Sequence, residues 1–306
     1  MRALVTGATG FLGCALVRAL LEKKWQIVCL ARDARRASAA GVEARFGDLL
    51  RPDSLAFDRD GGQRIDVVFH LGALMPGAKV ASDADFVEAN ASATIRLIEA
   101  AQRAGANRFV YLSSISAIGS PRETPIREDH PLAPPSAYSL GKLGGEMACA
   151  IASRSGWRAV ALRLASPYGL GMTPATVLPV FAAAALAGKP LRWHGSGSRS
   201  QDFIHVDDVV AACLAAARVD APLPLYNLAS GKDTPMRALA ETIAALAPGA
   251  CAEPSGADDP QEGVRWSVDV SAARRDLGFC ARVPLEDGLA RYMRDAGAGA
   301  RRWTWW

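Results

Sequence analysis

The sequence predicts an α/β protein: a doubly wound parallel sheet followed by a smaller, irregular C-terminal lobe. Three observations carry this. Short apolar runs alternate with amphipathic helical runs through the first two thirds of the chain, a pattern that calls for right-handed crossovers between parallel strands. "IDVVFHLGA" (65–73) is continuously β-branched and aromatic, as expected of a strand covered on both faces. A glycine-rich turn, "VTGATGFLG" (5–13), separates the first strand from the first helix.

The elements follow in order. "RALVTG" (2–7) reads as a strand. "FLGCALVRALLEKK" (11–24) reads as a helix with Leu12, Leu16, Ala19 and Leu20 along one face. "QIVCLAR" (26–32) and "VEARFGD" (42–48) are the second and third strands, and 65–73 the fourth. "DFVEANASATIRLIEAAQRAG" (85–105) is one long helix ending at Gly105. "RFVYLSS" (108–114), "AYSLGKLGGEMACAIASRSG" (137–156) and "RAVALRLAS" (158–166) continue as strand, helix, strand. Beyond about residue 169 the pattern loosens. "GLGMTPATVLP" (169–179) and "GSGSRSQD" (195–202) read as loops, whereas "FIHVDDVVAACLAAA" (203–217) returns to strand and helix. "PMRALAETIAAL" (235–246) and "LEDGLARYM" (285–293) are helical pieces around a Pro/Gly/Asp-rich stretch. The expected division is residues 1–168 plus about 202–228 in the first lobe, and 169–201 plus 229–306 in the second.

Composition narrows the function classes. The 306 residues are 50% hydrophobic with a net charge of +4, which suits a globular protein and is too little positive charge to imply nucleic acid. No apolar run approaches the roughly 18 residues a membrane span needs. The glycine turn interrupts what would be the apolar core of a signal peptide, so a mature, cytoplasmic protein is expected. Six cysteines without a CxxC pair read as free thiols, and no metal site is expected. The terminal "RRWTWW" (301–306) is read as docking on the protein's own surface or as disordered.

Gly7, Gly10 and Gly13 follow a strand and open a helix. Such a turn lets backbone approach a pyrophosphate, and the helix N-terminus offers that anion unpaired N–H groups and partial positive charge. The spacing is GxxGxxG rather than GxGxxG. The turn is therefore expected to be a Rossmann-type cofactor site rather than a merely structural turn, and the end of the second strand would select the dinucleotide. In "CLARDARR" (29–36) Arg32 stands where a carboxylate would accept from a ribose hydroxyl. A guanidinium suits a 2′-phosphate, with Arg35 or Arg36 assisting, so NADP is preferred and NAD is the alternative. Asp48, after the third strand, reads either as an acceptor for the adenine amino group or as a plain turn residue.

Tyr138 and Lys142 are four residues apart and so share a helix face. A phenol titrates near ~10, and a neighbouring ammonium lowers that value, giving a group able to move a proton at neutral pH. The same ammonium can donate to a cofactor ribose. Ser113 and Ser114 end the preceding strand, where a hydroxyl can hold the substrate oxygen that Tyr138 protonates. Glu146 lies on the same face.

"VTGATGFLG", "HLGA", "LSSISAIG", "YSLGK", "LRLASPYG" and "DFIHVDDV", in this order, resemble the extended short-chain dehydrogenase/reductase family, also called the NAD-dependent epimerase/dehydratase family. The resemblance spans roughly 1–230, and "SVDVSAARRDLGF" (267–279) is similar to the family's C-terminal stretch. It implies Tyr138 as acid/base, Lys142 as the ribose-binding and pKa-tuning residue, and Ser114 as the catalytic Ser/Thr. Asn90 would order the cofactor-side helix, Leu71 and Ala73 would line the cofactor channel, and Pro167 would pack near the nicotinamide. The remaining expected cofactor contacts are Thr9, Phe11 and Leu12 of the glycine turn, Leu49 and Gly72. His70 is expected to be a buried, satisfied histidine. "HVDDV" (205–209) is expected to be a capped helix start rather than a metal site. A homodimer through the helices at 85–105 and 137–156 is implied.

Departures from the pattern matter equally. Family dehydratases carry Thr-Asp-Glu where this chain has Ser114-Ile115-Ser116, which disfavours a 4,6-dehydratase. An arginine that grips the diphosphate of nucleotide sugars is replaced by Gln201, with Arg199 two residues earlier, and an expected asparagine is Ser166. Ser166, Arg199 and Gln201 are therefore the expected substrate contacts, and Arg199 could swing in to compensate. The function expected is an NAD(P)-dependent epimerase or reductase acting on a hydroxyl or ketone carbon of a sugar, nucleotide-sugar or similar small molecule. The alternatives are an NAD-retaining sugar epimerase and a non-catalytic dinucleotide-sensing protein.

Overall fold

The computed structural model describes residues 1–38, 41–57, 64–77, 82–172, 174 and 176–298. The strands are β1 (Arg2–Thr6), β2 (Gln26–Ala31), β3 (Glu43–Phe46), β4 (Val67–His70), β5 (Arg108–Ser114), β6 (Arg158–Leu164), β7 (Ser166–Tyr168), β8 (Leu191–Trp193), β9 (Ser200–His205), β10 (Leu225–Leu228), β11 (Asp233–Pro235) and β12 (Ala252–Pro254). The helices are α1 (Phe11–Glu22), α2 (Ala34–Ser38), α3 (Asp83–Val87), α4 (Ala93–Arg103), α5 (Ala137–Arg154), α6 (Val177–Leu186), α7 (Val206–Ala216), α8 (Met236–Ala245), α9 (Ser271–Leu277) and α10 (Leu285–Gly297).

Seven strands form one parallel sheet in the order β10, β6, β5, β4, β1, β2, β3. Strand order reverses between β1 and β4, and the crevice beyond the strand ends at such a point is where doubly wound folds bind ligands. Successive side chains alternate faces. Ala3 and Val5 enter a core built with α1, α2, α7 and α9, whereas Leu4 between them enters the opposite core with α4 and α5. Phe69, Phe109 and Leu4 are completely buried, each worth about 1.5–3 kcal/mol of transfer free energy.

The second lobe has its own core, built from α6, α8 and α10 around Tyr168, Trp193 and Phe203. β9 does not join the large sheet. It lies between β7 and β11, sending Phe203 into the small core and Ile204 into the large one. α7 then packs with α1 in the large core. α9, although late in the chain, also places Ala272, Ala273 and Leu277 there.

Several local readings differ from the sequence expectation; the loop expected over 195–202, for one, already enters β9 at Ser200. The helix expected over 85–105 is α3 and α4 joined by a π-helical turn at Glu88–Ser92. A widened turn leaves no mark on apolar periodicity, and such turns favour functional sites. The loop expected through 179 becomes α6. Pro179 is in its first turn, where the missing N–H has no helical acceptor to lose, and the helix is apolar all round, so no stripe betrays it. The short strands β8, β11 and β12 were unmarked by any alternation. At "HVDDV" the helix start is capped by the His205 ring, which accepts from Asp207 N at 3.2 Å. The Asp208 carboxylate instead holds the backbone N–H groups of Arg282 and Val283, at 2.9 and 3.0 Å. "RRWTWW" lies outside the described residues.

Candidate functional site

The glycine turn is shaped by close approach. Gly7 has φ of +69°, and a Cβ there would stand 2.6 Å from Gly72 N. A Cβ on Gly13 would stand 2.0 Å from Gly7 O, so α1 starts directly against the turn. Thr9, Phe11 and Leu12 line this turn, half-buried, and Gly10 is exposed as the N-cap of α1. The first-turn N–H groups of α1 have no carbonyl one turn earlier and are free for an anion. The cradle therefore fits a dinucleotide pyrophosphate.

The turn is tied to the loop after β4 by a chain of hydrogen bonds. Gly72 N donates to Thr6 Oγ1 at 3.0 Å, and Thr6 Oγ1 lies 2.6 Å from His70 Nδ1. His70 Nε2 lies 3.1 Å from Thr94 Oγ1, which donates to Asn90 O at 2.8 Å. Because the Thr94 proton goes to Asn90 O, His70 carries its proton on Nε2 and accepts from Thr6. Burial, with help from the Lys142 charge, pushes the His70 pKa down to about 3, so it is a neutral, satisfied link. The Asn90 side chain, in the π-helical turn, brackets Leu74 by accepting from its N–H at 2.9 Å and donating to its carbonyl at 3.0 Å. It thereby holds the 71–74 loop, with Leu71 and Ala73 half-buried at the crevice.

α5 packs closely because it lacks side chains where it meets its neighbours. A Cβ on Gly141 would stand 2.7 Å from Phe86 O, and one on Gly145 would stand 2.5 Å from the Tyr111 ring. Ser136 caps the helix by accepting from Ser139 N at 3.2 Å. Lys142 is 4% exposed, and its Nζ donates to Leu112 O at 2.7 Å while standing 4.8 Å over the Tyr111 ring. Glu146 answers to a different partner. Arg163 on β6 grips it in a fork, Nε to Oε1 at 3.0 Å and Nη2 to Oε2 at 2.7 Å, and Ser113 Oγ donates to Oε1 at 2.7 Å. This buried pair registers α5 against β5 and β6.

Ser114, Tyr138 and Lys142 thus gather at the C-terminal end of β5. Burial raises the Tyr138 pKa, and the contact with the Ser114 side chain works against that rise. The lowering expected from Lys142 is not realised: its ammonium is turned to Leu112 O and Tyr111. Burial brings the Lys142 pKa down to about 7 from 10.5, with the Glu146 charge opposing. Between these values the unfolded chain binds a proton that the folded protein does not, so stability rises with pH from about 7 to 10.5, and the cost of burying the ammonium is complete below 7. Lys142→Met should therefore stabilise the protein by on the order of 1–3 kcal/mol at pH 6, net of the lost hydrogen bond, and by less at pH 10. Urea unfolding at the two pH values checks this; a variant less stable than wild type at pH 6 contradicts it.

Other expected contacts are differently placed. Arg32 is exposed immediately after β2, and the side chain of Arg36 lies outside the described part of the structure. Asp48 accepts from Leu50 N at 3.1 Å within its own turn, and Leu49 beside it is half-buried. Pro167 lies on β7 opposite Ile204 of β9. Ser166 Oγ donates to Gln201 Oε1 at 3.2 Å, so these two side chains meet. Arg199 does not join them. Its Nε is 2.8 Å from Asp259 Oδ2, and its Nη1 donates to Gln261 Oε1 at 3.2 Å. Swinging Arg199 toward Gln201 would strand the buried Asp259 carboxylate, so this ion pair opposes such a movement. The sequence reading missed Thr6 and Thr94, which tie the loops of the site together, and the contact of Ser139 with Ser116 beside it. Among the described residues no three His, Cys, Asp or Glu side chains cluster to hold a metal ion, and no helix is long and apolar enough to cross a membrane.

Residues 3–229 match the model of the NAD dependent epimerase/dehydratase family. The chain belongs to that family. It is 32% identical to the UDP-glucose 4-epimerase of Mycolicibacterium smegmatis, over 95% of this chain and 97% of that protein. It is 29% identical to a dTDP-glucose 4,6-dehydratase of Streptomyces niveus, over 100% of this chain and 95% of the relative. Among solved structures it resembles MoeE5 in complex with UDP-glucose and NAD, at 31% identity and a TM-score of 0.78, covering 98% of this chain and 99% of that one. The protein is thus an enzyme of a family that contains both epimerases and dehydratases.

Proposed function

We propose that this family member moves a hydride between the nicotinamide of NAD(P) and a hydroxyl-bearing carbon of a nucleotide sugar, as an epimerase or reductase rather than a 4,6-dehydratase. The observation that carries this reading is the meeting of Ser114, Tyr138 and Lys142 at the end of β5, with serine rather than a carboxyl residue at 116. Ser114 Oγ holds the substrate oxygen, and the Tyr138 hydroxyl gives or takes its proton. Lys142, with N–H groups to spare beyond the one on Leu112 O, holds the cofactor ribose. The cofactor supplies the hydride acceptor and donor at nicotinamide C4. Elimination of water needs an acid/base pair beside the same carbon chain, and Ile115 and Ser116 provide none. The first lobe, 1–168 with about 202–228, would hold the cofactor, and the second the substrate.

The substrate class rests on the relatives that act on UDP-glucose. Incubating the purified protein with NADP or NAD and UDP-glucose, and separately with dTDP-glucose, tests it by product chromatography. UDP-galactose, or a UDP-4-keto sugar with reduced cofactor, is expected from the first. A 4-keto-6-deoxy sugar from the second sinks the reading.

The cofactor preference we propose is NADP, supported by exposed Arg32 and by the absence of a carboxylate at the end of β2. NAD is the second reading, favoured by the NAD bound in MoeE5. Arg32→Ala should weaken NADP binding about 10-fold or more while leaving NAD within about two-fold. Calorimetry that finds equal NADP affinity in both proteins removes the preference.

Homodimerisation is supported by Leu140, Met147 and Ile151, exposed on one face of α5, with Ile95 exposed on neighbouring α4. A monomer by sedimentation at micromolar concentration would remove that reading. The buried free thiols of Cys14, Cys29, Cys149 and Cys213 support a reducing, cytoplasmic setting. Fractionation that finds the protein outside the cytoplasm refutes this.

A further inference from the structure

Beyond Ser114, three serine hydroxyls continue in file from the Tyr138 side chain to the surface. Ser114 contacts Tyr138. Ser114 Oγ and Ser116 Oγ are 3.0 Å apart, and Ser139 Oγ donates to Ser116 Oγ at 3.1 Å. Ser136 Oγ and Ser139 Oγ are again 3.1 Å apart. Ser139 is 2% exposed, whereas Ser136 is exposed at the N-cap of α5. Two elements build the file: the end of β5 with the turn after it, and the first turn of α5.

The direction of donation is constrained. Ser139 spends its proton on Ser116, so Ser136 must donate to Ser139. Ser116 has Ser114 Oγ as its acceptor, and Ser114 is left to donate toward Tyr138. Every hydroxyl proton then points inward from solvent. The backbone N–H groups of Ser116 and Ser139 donate to Ser114 Oγ and Ser136 Oγ at 3.3 and 3.2 Å, which holds both ends of the file in place without using their protons.

We propose that Ser116 and Ser139 are proton-relay residues, carrying protons between Tyr138 and bulk water through Ser114 and Ser136 while substrate and cofactor fill the crevice. This rests on Tyr138 as the acid/base group. In the reducing direction Tyr138 gives its proton to the substrate oxygen. The phenolate then takes the Ser114 proton as Ser114 takes that of Ser116, Ser116 that of Ser139, Ser139 that of Ser136, and Ser136 one from water. One O–H bond forms for each that breaks, and nothing is oxidised or reduced in the relay. In the oxidising direction the same file runs outward. Net reduction or oxidation exchanges a proton with solvent every turnover, whereas epimerisation with retained cofactor can return the proton to the substrate. The file therefore serves the half-reaction with solvent exchange.

The test is a single-turnover stopped-flow reduction with the full chain, a UDP-4-keto sugar as the probe and NADPH, repeated with NADH. Loss of reduced cofactor is followed by absorbance and proton uptake by an indicator dye in weak buffer. In wild type the two signals keep pace. In Ser116→Ala and Ser139→Ala, hydride transfer stays within about two-fold of wild type while proton uptake lags by about 10-fold or more, and Ser116→Thr, which keeps a hydroxyl, restores it. A purely structural role would slow both signals together, and that outcome overturns the relay, as does proton uptake at the wild-type rate in both alanine variants. If Tyr138→Phe consumes reduced cofactor as fast as wild type, the acid/base assignment itself is wrong. If wild type oxidises neither cofactor, the proposed function fails and the relay with it. Thermal melts of each variant confirm folding.

Discussion

Tyr138→Phe is expected to lower turnover on a nucleotide-sugar substrate by about 10²–10⁴-fold, the usual contribution of a positioned acid/base group. The substitution removes one oxygen and leaves the ring, so α5 keeps its packing and the unfolding midpoint should move little. Dinucleotide affinity should also hold, because in the proposed reading the pyrophosphate would rest on Gly7–Gly13 and the ribose on Lys142, neither of which the substitution touches. Loss of kcat with little change in cofactor Kd is therefore the expected signature. Adding Ser114→Ala to the same chain should cost less than the product of the two single effects, since both act on one oxygen. Initial rates with calorimetric cofactor titration check this. Activity surviving in Tyr138→Phe would move the proton-transfer role to another group.

The second large effect is on stability. Arg163→Met should destabilise the protein by about 3–5 kcal/mol, because it leaves the Glu146 carboxylate without its bidentate partner where water cannot reach it. The pair is 1% and 3% exposed, so solvent screening cannot soften the loss. Arg163 also donates to Glu128 O at 3.2 Å, and Glu128 Oε1 accepts from Asn227 N at 2.9 Å on β10. One guanidinium thus ties α5, β6 and the 126–130 segment together. Removing both charges as Arg163→Met with Glu146→Leu should recover much of the loss, since two apolar side chains of similar volume need no partner. Denaturant midpoints of the single and double variants test this. A single variant as stable as wild type would mean that the pair contributes nothing net.

The legible parts of the chain were those in which local sequence and global fold agree. The central first-lobe strands are apolar runs because both sheet faces are covered there, whereas edge strand β3 is half-exposed, and the glycine turn stands where strand meets helix. Tyr138 and Lys142 fall on one face by helical spacing alone. α6 was hidden because a helix apolar all round carries no stripe, and the π-helical turn because a single widened turn barely shifts periodicity. The helix of 137–156 looked ordinary, yet Gly141 and Gly145 are there because Phe86 and Tyr111 come too close for a Cβ. Those neighbours are far away in the chain.

By itself the sequence determined the order of the first-lobe strands and their main helices, the glycine turn between β1 and α1, and which face of α5 bears the phenol, the ammonium and the carboxylate; these follow from residue spacing or local backbone chemistry. The family was legible from the resemblance of its motifs. Only the tertiary structure decided that Lys142 turns to Leu112 O, that Glu146 pairs with Arg163, that Arg199 is held by Asp259, and that four serines from two elements join in file. Hydrogen-bonding and charged groups choose partners by proximity and burial, and both are set by segments that meet only when the chain is folded.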